Sequence, residues 1–164
     1  MVTTKPSNLF PDIIGQANAK RVLEFFCRGF EKTDIIPHLM FVAPKGCGKT
    51  TMAKATARRL KEINSDKKYF EINCSTIKNV KQFFNQIVIP LCQDRDATIL
   101  FDECSEIPKD VSMALLTILN PNPDNMTSFT LEDYTVDFDF RRLSFMFATT
   151  ETQSVFHALM DRLE

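Results

Sequence analysis

Hydrophobic and polar residues recur along this chain in blocks whose spacing switches between the helical period of about 3.6 and the strand period of about 2. Ala19, Val22, Leu23, Phe26 and Phe30 share one side of a turn pattern, with Lys20, Arg21, Glu24 and Arg28 opposite, which predicts a helix over Ala17 to Phe30. His38-Leu39-Met40-Phe41-Val42 is a short apolar run that reads as a buried strand. A second helix is predicted from about Thr50 to Ile63, its inner side Met52, Ala53, Thr56, Ala57, Leu60 and Ile63. After the polar break Asn64 to Lys68, Tyr69 to Ile72 reads as a strand.

Val80, Phe83, Phe84, Ile87, Val88 and Leu91 form a third helical stripe, which Pro90 should end or kink. Ala97 to Phe101 is a further buried strand. Val111 to Leu119 is a short helix stopped by Asn120-Pro121-Asn122-Pro123-Asp124. Tyr134, Val136, Phe138 and Phe140 then alternate with Thr135, Asp137 and Asp139, so 129–140 reads as a hairpin with one wet face. Leu143 to Ala148 is the last buried strand and Val155 to Arg162 the last helix. Strands alternating with helices of this length imply an α/β fold, a parallel sheet flanked by helices, interrupted by a hairpin before the last buried strand.

The 164 residues fit one domain. A net charge of -1 excludes a domain whose whole face is basic. The longest apolar runs, at Ile87-Val88-Ile89 and Phe145-Met146-Phe147, fall far short of the roughly 20 residues that span a bilayer, and the start has no apolar signal core. No membrane association is expected. Five cysteines with no Cys-x-x-Cys pair, and two histidines far apart, argue against a disulfide framework or structural zinc and for a reducing, cytoplasmic setting.

Glycine changes the picture. The chain has only 4, and two of them, Gly46 and Gly48, stand two residues apart in Ala43-Pro44-Lys45-Gly46-Cys47-Gly48-Lys49-Thr50, followed by Thr51. A glycine turn between a buried strand and a helix aims successive backbone N–H groups inward, and the helix dipole adds positive potential, so a polyphosphate is well held there. Lys49 would reach the outer phosphates as a point charge, and the Thr50 hydroxyl would face Mg²⁺. Ala43 stands where the usual pattern begins with glycine; the Gly-x-Gly-Lys-Thr core is intact.

Asp102 and Glu103 close a buried strand. In a parallel sheet that end faces the same crevice as the phosphate loop. Asp102 is then placed to hold the Mg²⁺ shell, and Glu103 to orient a water for attack on the γ-phosphate. The last buried strand ends in Ala148-Thr149-Thr150, where a hydroxyl could bond the γ-phosphate or the attacking water. Taken alone, Arg162 reads as a solvated charge near a helix end.

With these parts in this order, the chain resembles the large ATPase subdomain of AAA+ proteins, and within them the RuvB type of Holliday-junction branch-migration motor. The resemblance runs from Asn8 to Glu164. Phe10-Pro11-Asp12-Ile13-Ile14-Gly15-Gln16 is similar to the family's adenine-binding entry segment, which assigns Ile13 and Ile14 to the base. The hairpin stands where the family has one before sensor 1, Thr150 matches sensor 1, and Arg162 matches the arginine finger. The resemblance implies ATP and Mg²⁺ as cofactors, a homo-oligomeric ring in which Arg162 acts on the next subunit's ATP, DNA as partner, and weak hydrolysis by an isolated monomer. It also implies a small helical lid that these residues do not include. Leu115 to Pro121 and Tyr134 to Asp139 also look like Lon-type protease ATPases, and Phe70 to Cys74 is similar to clamp loaders. A clamp-loader-like replication ATPase and an ATP-dependent unfoldase are therefore the alternatives.

Overall fold

The computed structural model describes residues 17–120, 122–151 and 157–164. Its centre is a four-stranded parallel sheet in the order β1-β6-β3-β2, built from β1 (Leu39–Val42), β2 (Lys68–Asn73), β3 (Ala97–Asp102) and β6 (Leu143–Thr149). The two central strands are apolar runs because both of their faces are covered. All of β6 is buried, and so is β3 up to its last residue, the half-buried Asp102.

Side-chain alternation sorts the sheet into two cores. On one face Leu39, Phe41, Leu100, Met146 and Ala148 pack against Leu23, Cys27 and Phe30 of α1 (Ala17–Thr33) and Met52, Ala53 and Leu60 of α2 (Lys49–Ile63). On the other, Ile99, Phe101, Phe145 and Phe147 meet Phe83, Phe84, Val111, Leu115, Val136 and Phe138. Phe101 stacks on Phe147 at 5.0 Å and meets Phe145 edge-on at 5.7 Å, geometries that add about 0.5–1.5 kcal/mol per pair beyond area burial.

The α/β class and the inserted hairpin expected from the sequence are both present. β4 (Met126–Leu131) pairs antiparallel with β5 (Tyr134–Asp139), three residues ahead of the expected start. Met126-Thr127-Ser128 carries little apolar signal, and pairing is supplied instead across the strands, as between the Thr130 and Thr135 hydroxyls at 2.7 Å. Pro90 does not end the third helix. α3 (Val80–Phe83) runs through a π turn, Phe84–Val88, into α4 (Ile89–Cys92), and the Ile89 N–H reaches back to the Phe84 carbonyl. The wide turn accommodates the proline, which sits in the first turn of α4, where a missing N–H costs little. α5 (Lys109–Ile118) leads to the hairpin, and α6 (His157–Met160) stops short of the expected Arg162; residues 155 and 156 of the expected helix lie outside the described residues.

Candidate functional site

The chain leaves β1 at Val42 and turns into α2 through 43–48. Gly46 (φ +85°) and Gly48 (φ +83°) both adopt the left-handed conformation, which costs a residue with a Cβ roughly 1–2 kcal/mol. No side chain caps α2, so its first amides remain for a ligand. The Lys49 ammonium donates to the Ala43 carbonyl at 2.9 Å and the Pro44 carbonyl at 3.4 Å, holding it over the loop. Pro44, Lys45, Gly46, Cys47 and Thr51 are exposed; Gly48, Lys49 and Thr50 are half-buried.

Parallel strands put their C-terminal ends on one rim. Val42 lies beside Thr149, the Ala43 N–H continues that ladder to the Thr149 carbonyl at 3.4 Å, and β6 separates the loop strand from the acidic strand β3. Asp102 accepts the Glu103 N–H at 2.9 Å. Glu103 is left-handed without being glycine (φ 54°, ψ 50°) and opens a 3-10 turn, Cys104–Glu106. Backbone strain of this kind costs about 1–3 kcal/mol and gathers at functional sites. Thr149 is fully buried and its hydroxyl is used locally, accepting from the Glu151 N–H and donating to the Glu151 carbonyl, both at 3.1 Å. Thr150, just past the strand, is exposed. The loop, Asp102, Glu103 and Thr150 are thus brought together at one rim.

Arg162 is not among them. It stands in the turn after α6, where its N–H donates to the Leu159 carbonyl at 3.0 Å. Glu164 then lies along the start of β1, its N–H on the His38 carbonyl at 2.7 Å and its carbonyl on the Met40 N–H at 2.8 Å. Arg162 shares a cavity of about 220 Å³ with His38, Asn120, Asn122, Asn125 and Phe140, at the end of β1 opposite the loop. Its Nε is fully covered without a partner. The bare-sequence reading of a fully solvated arginine is therefore corrected: chain reversal after α6 leaves Arg162 half-buried with its Nε covered. Ile13 and Ile14 lie outside the described residues.

Burial pushes the Cys104 thiol up to about 12, with the Glu103 and Asp102 carboxylates adding to the shift, and raises Cys74 in the same way. These neighbours of the acidic pair stay protonated and unreactive. Sequence reasoning missed Lys54, Glu71 and Tyr69; Glu71 and Tyr69 share the α2 face of the sheet with Asp102, and Lys54 pairs with Glu71 there. The available signal was spacing: Lys54 is one turn past Thr50, and Glu71 and Asn73 alternate toward the same rim.

A glycine loop between the first strand and its helix, with an acidic pair closing a parallel strand one place removed, defines the P-loop nucleoside-triphosphatase fold. The model of the ATPase family associated with various cellular activities (AAA) matches residues 39–164, and the chain belongs to that family. It is 29% identical over 163 residues to the mitochondrial Lon protease homolog 1 of Dictyostelium discoideum, covering 88% of this chain and 16% of that protein. It is 26% identical over 130 residues to replication factor C small subunit 2 of Pyrobaculum arsenaticum, covering 76% of this chain and 39% of that one. In three dimensions it resembles the RuvB Holliday junction branch migration motor of Thermotoga maritima, with a TM-score of 0.69 at 19% identity, over 94% of this chain and 46% of that one. A point variant of the same motor gives a TM-score of 0.73 at 20% identity, over 98% and 47%. The chain therefore spans less than half the length of each of these proteins.

Proposed function

We propose that this chain is the large ATPase subdomain of a ring-forming DNA motor of the RuvB type, binding and hydrolysing ATP with Mg²⁺. The observation that carries the reading is the division of labour along the sheet: loop, acidic pair and Thr150 on one rim, and Arg162 at the other end.

The residues fit magnesium. Among the described residues no group of three or more His, Cys, Asp or Glu could cage a metal, and the oxygen donors on offer are one threonine hydroxyl and one carboxylate. That set suits a cation that keeps several waters and shares phosphate oxygens. Thr50 and Asp102 would hold it, and when bound it neutralises charge gathering on the phosphate oxygens. The amides of residues 45–51 bind the phosphates. Lys49 moves from the Ala43 and Pro44 carbonyls to the outer phosphates. Glu103 orients the attacking water and accepts its proton, and Thr150 bonds the γ-phosphate or that water. Arg162 cannot serve the loop of its own chain and would act on a neighbour's nucleotide, where its planar fork matches the spreading charge. An isolated copy then hydrolyses ATP poorly. The five free cysteines fit a cytoplasmic protein.

Likeness to Lon over most of the chain favours a second reading, an ATP-dependent protein unfoldase. Residues 74–79, Cys-Ser-Thr-Ile-Lys-Asn, offer no aromatic grip on a polypeptide, which supports the DNA reading. ATPase assays on the assembled protein decide: a synthetic four-way DNA junction is expected to stimulate turnover and an unfolded protein is not. Stimulation by the unfolded protein alone would reverse the assignment.

A further inference from the structure

Beside Asp102, on the α2 face of the sheet, stands a second set of polar groups that the scheme above leaves unused. The β2–β3 register sets Asn73 beside Asp102, Glu71 beside Leu100 and Tyr69 beside Thr98. Leu100 and Tyr69 both belong to the core under α1 and α2, so by alternation Tyr69, Glu71 and Asp102 share that face. Lys54 of α2, one turn beyond Thr50, meets Glu71 at 3.7 Å. The Tyr69 hydroxyl is fully covered and makes no hydrogen bond of acceptable geometry; Glu71 is the carboxylate it faces. Burial, followed by the charges of Glu71 and Asp102, holds its ionisation well above the ordinary range, so both carboxylates act on this one hydroxyl.

We propose that Glu71, steadied by Lys54, is an outer carboxylate of the magnesium site, accepting hydrogen bonds from water carried by the cation that Asp102 and Thr50 hold. The inference rests on the Mg·ATP reading of the loop. A cation with so few protein ligands arrives with a water shell, and those waters need acceptors beyond the first ring of contacts. Glu71 supplies one from the neighbouring strand. Its pairing with Lys54 keeps the carboxylate at the helix–sheet seam, and a shell water supplies the partner the Tyr69 hydroxyl lacks. Glu71 and Tyr69 are positioning residues, since neither needs to touch nucleotide.

The test reads cation affinity directly, by electron paramagnetic resonance of free Mn²⁺ titrated into protein saturated with a non-hydrolysable ATP analogue. Outer partners of this kind are worth roughly 10–100-fold in metal affinity. Glu71→Gln is expected to weaken Mn²⁺ binding about tenfold, with affinity for the analogue in excess chelator unchanged. Tyr69→Phe and Lys54→Met should move it in the same direction by less. Lys54→Met keeps the test open if Glu71→Gln unfolds, since it leaves the carboxylate in place and frees its position. Wild-type Mn²⁺ affinity in folded Glu71→Gln, or in folded Lys54→Met should Glu71→Gln unfold, overturns the proposal alone. Failure of the wild-type protein to bind the analogue overturns the phosphate-loop reading and this inference with it.

Discussion

The two ends of the parallel sheet handle polar groups in opposite ways. At the C-terminal rim, Lys49, Thr50, Asp102 and Glu103 are half-buried and Thr150 is exposed, while the backbone is held in left-handed turns at Gly46, Gly48 and Glu103. At the other end two ionisable groups are strongly desolvated. Lys67 is buried, donates to the Arg142 carbonyl at 2.7 Å, sits 5.3 Å from the Phe30 ring, and is lowered to about 8 by burial. His38, edge-on to Phe140 at 4.7 Å, is lowered to about 4 by the same cause. The rim keeps open hydrogen-bonding capacity, as a ligand site needs; left-handed backbone is shared by the other end, at Asp34, Asp94 and Asn125. The opposite end desolvates Lys67 and His38, and Arg162 lines the same cavity as His38.

That contrast predicts its own largest effect. In the assembled protein Arg162→Ala should cut turnover about 10³-fold, the lower end of what an arginine finger supplies, with each subunit's nucleotide affinity unchanged. Glu103→Gln should cut turnover at least about 10²-fold, the lower range for a positioned acid–base group, also with binding intact. Mixing the two inactive variants sharpens the comparison. A site with an intact Glu103 can then receive an intact Arg162 from its neighbour, so steady-state ATPase should partly recover. No recovery would mean that the two ends do not meet across a subunit boundary.

A smaller effect separates the ends by pH. His38 binds its proton less readily in the fold than in the unfolded chain, about 4 against 6.5. Between those values the unfolded state holds the extra proton, so stability falls as pH drops from about 6.5 to about 4, by up to roughly 3 kcal/mol. Asp96 and Asp139, held below the usual carboxylate range despite their burial by bonds to Asn64 and Arg142 and to Arg141 respectively, contribute losses only at lower pH. Lys67 acts in the alkaline range. The window between 4 and 6.5 therefore belongs to His38 among the described groups whose ionisation the fold displaces. Urea unfolding at pH 7 and 4.5 should show this slope in the wild-type protein and a flatter one in His38→Phe.

The same asymmetry governs what could be read from the chain before its fold. The phosphate loop was legible because its chemistry is local: a buried run, two glycines and a helix within a dozen residues. Asp102 and Glu103 were legible because a parallel sheet brings strand ends together whatever the loops between them do. The far end was not. Nothing near Lys67 in sequence, in Asn64-Ser65-Asp66-Lys67-Lys68, distinguishes a lysine under a phenylalanine ring from a solvated one, because its partners Phe30 and Arg142 arrive by tertiary packing. Arg162 was placed only by family resemblance, since local pattern made it a surface charge. Pro90 failed as a stop signal for the same reason: Phe83, Phe84, Ile87 and Val88 are buried along one stretch, and that packing outweighs a local breaker.

One substitution, made at each end, gives the smallest predicted change and the clearest sign. Gly29 lies within α1, in helical backbone, and a Cβ built there meets nothing within 4 Å. Alanine at that place removes freedom from the unfolded chain at no cost to the fold, so Gly29→Ala should stabilise by about 0.4–1 kcal/mol. Gly46 has equally open surroundings, yet its φ of +85° lies where a Cβ is strained by its own backbone. Gly46→Ala should therefore destabilise by about 1 kcal/mol, and the loop can relieve the strain only by leaving the conformation that presents its amides. Thermal unfolding of both variants, followed by nucleotide titration, checks the pair. Opposite shifts in Tm, with weakened nucleotide binding confined to Gly46→Ala, are the expected outcome. Equal shifts would show that the loop conformation is not held at Gly46.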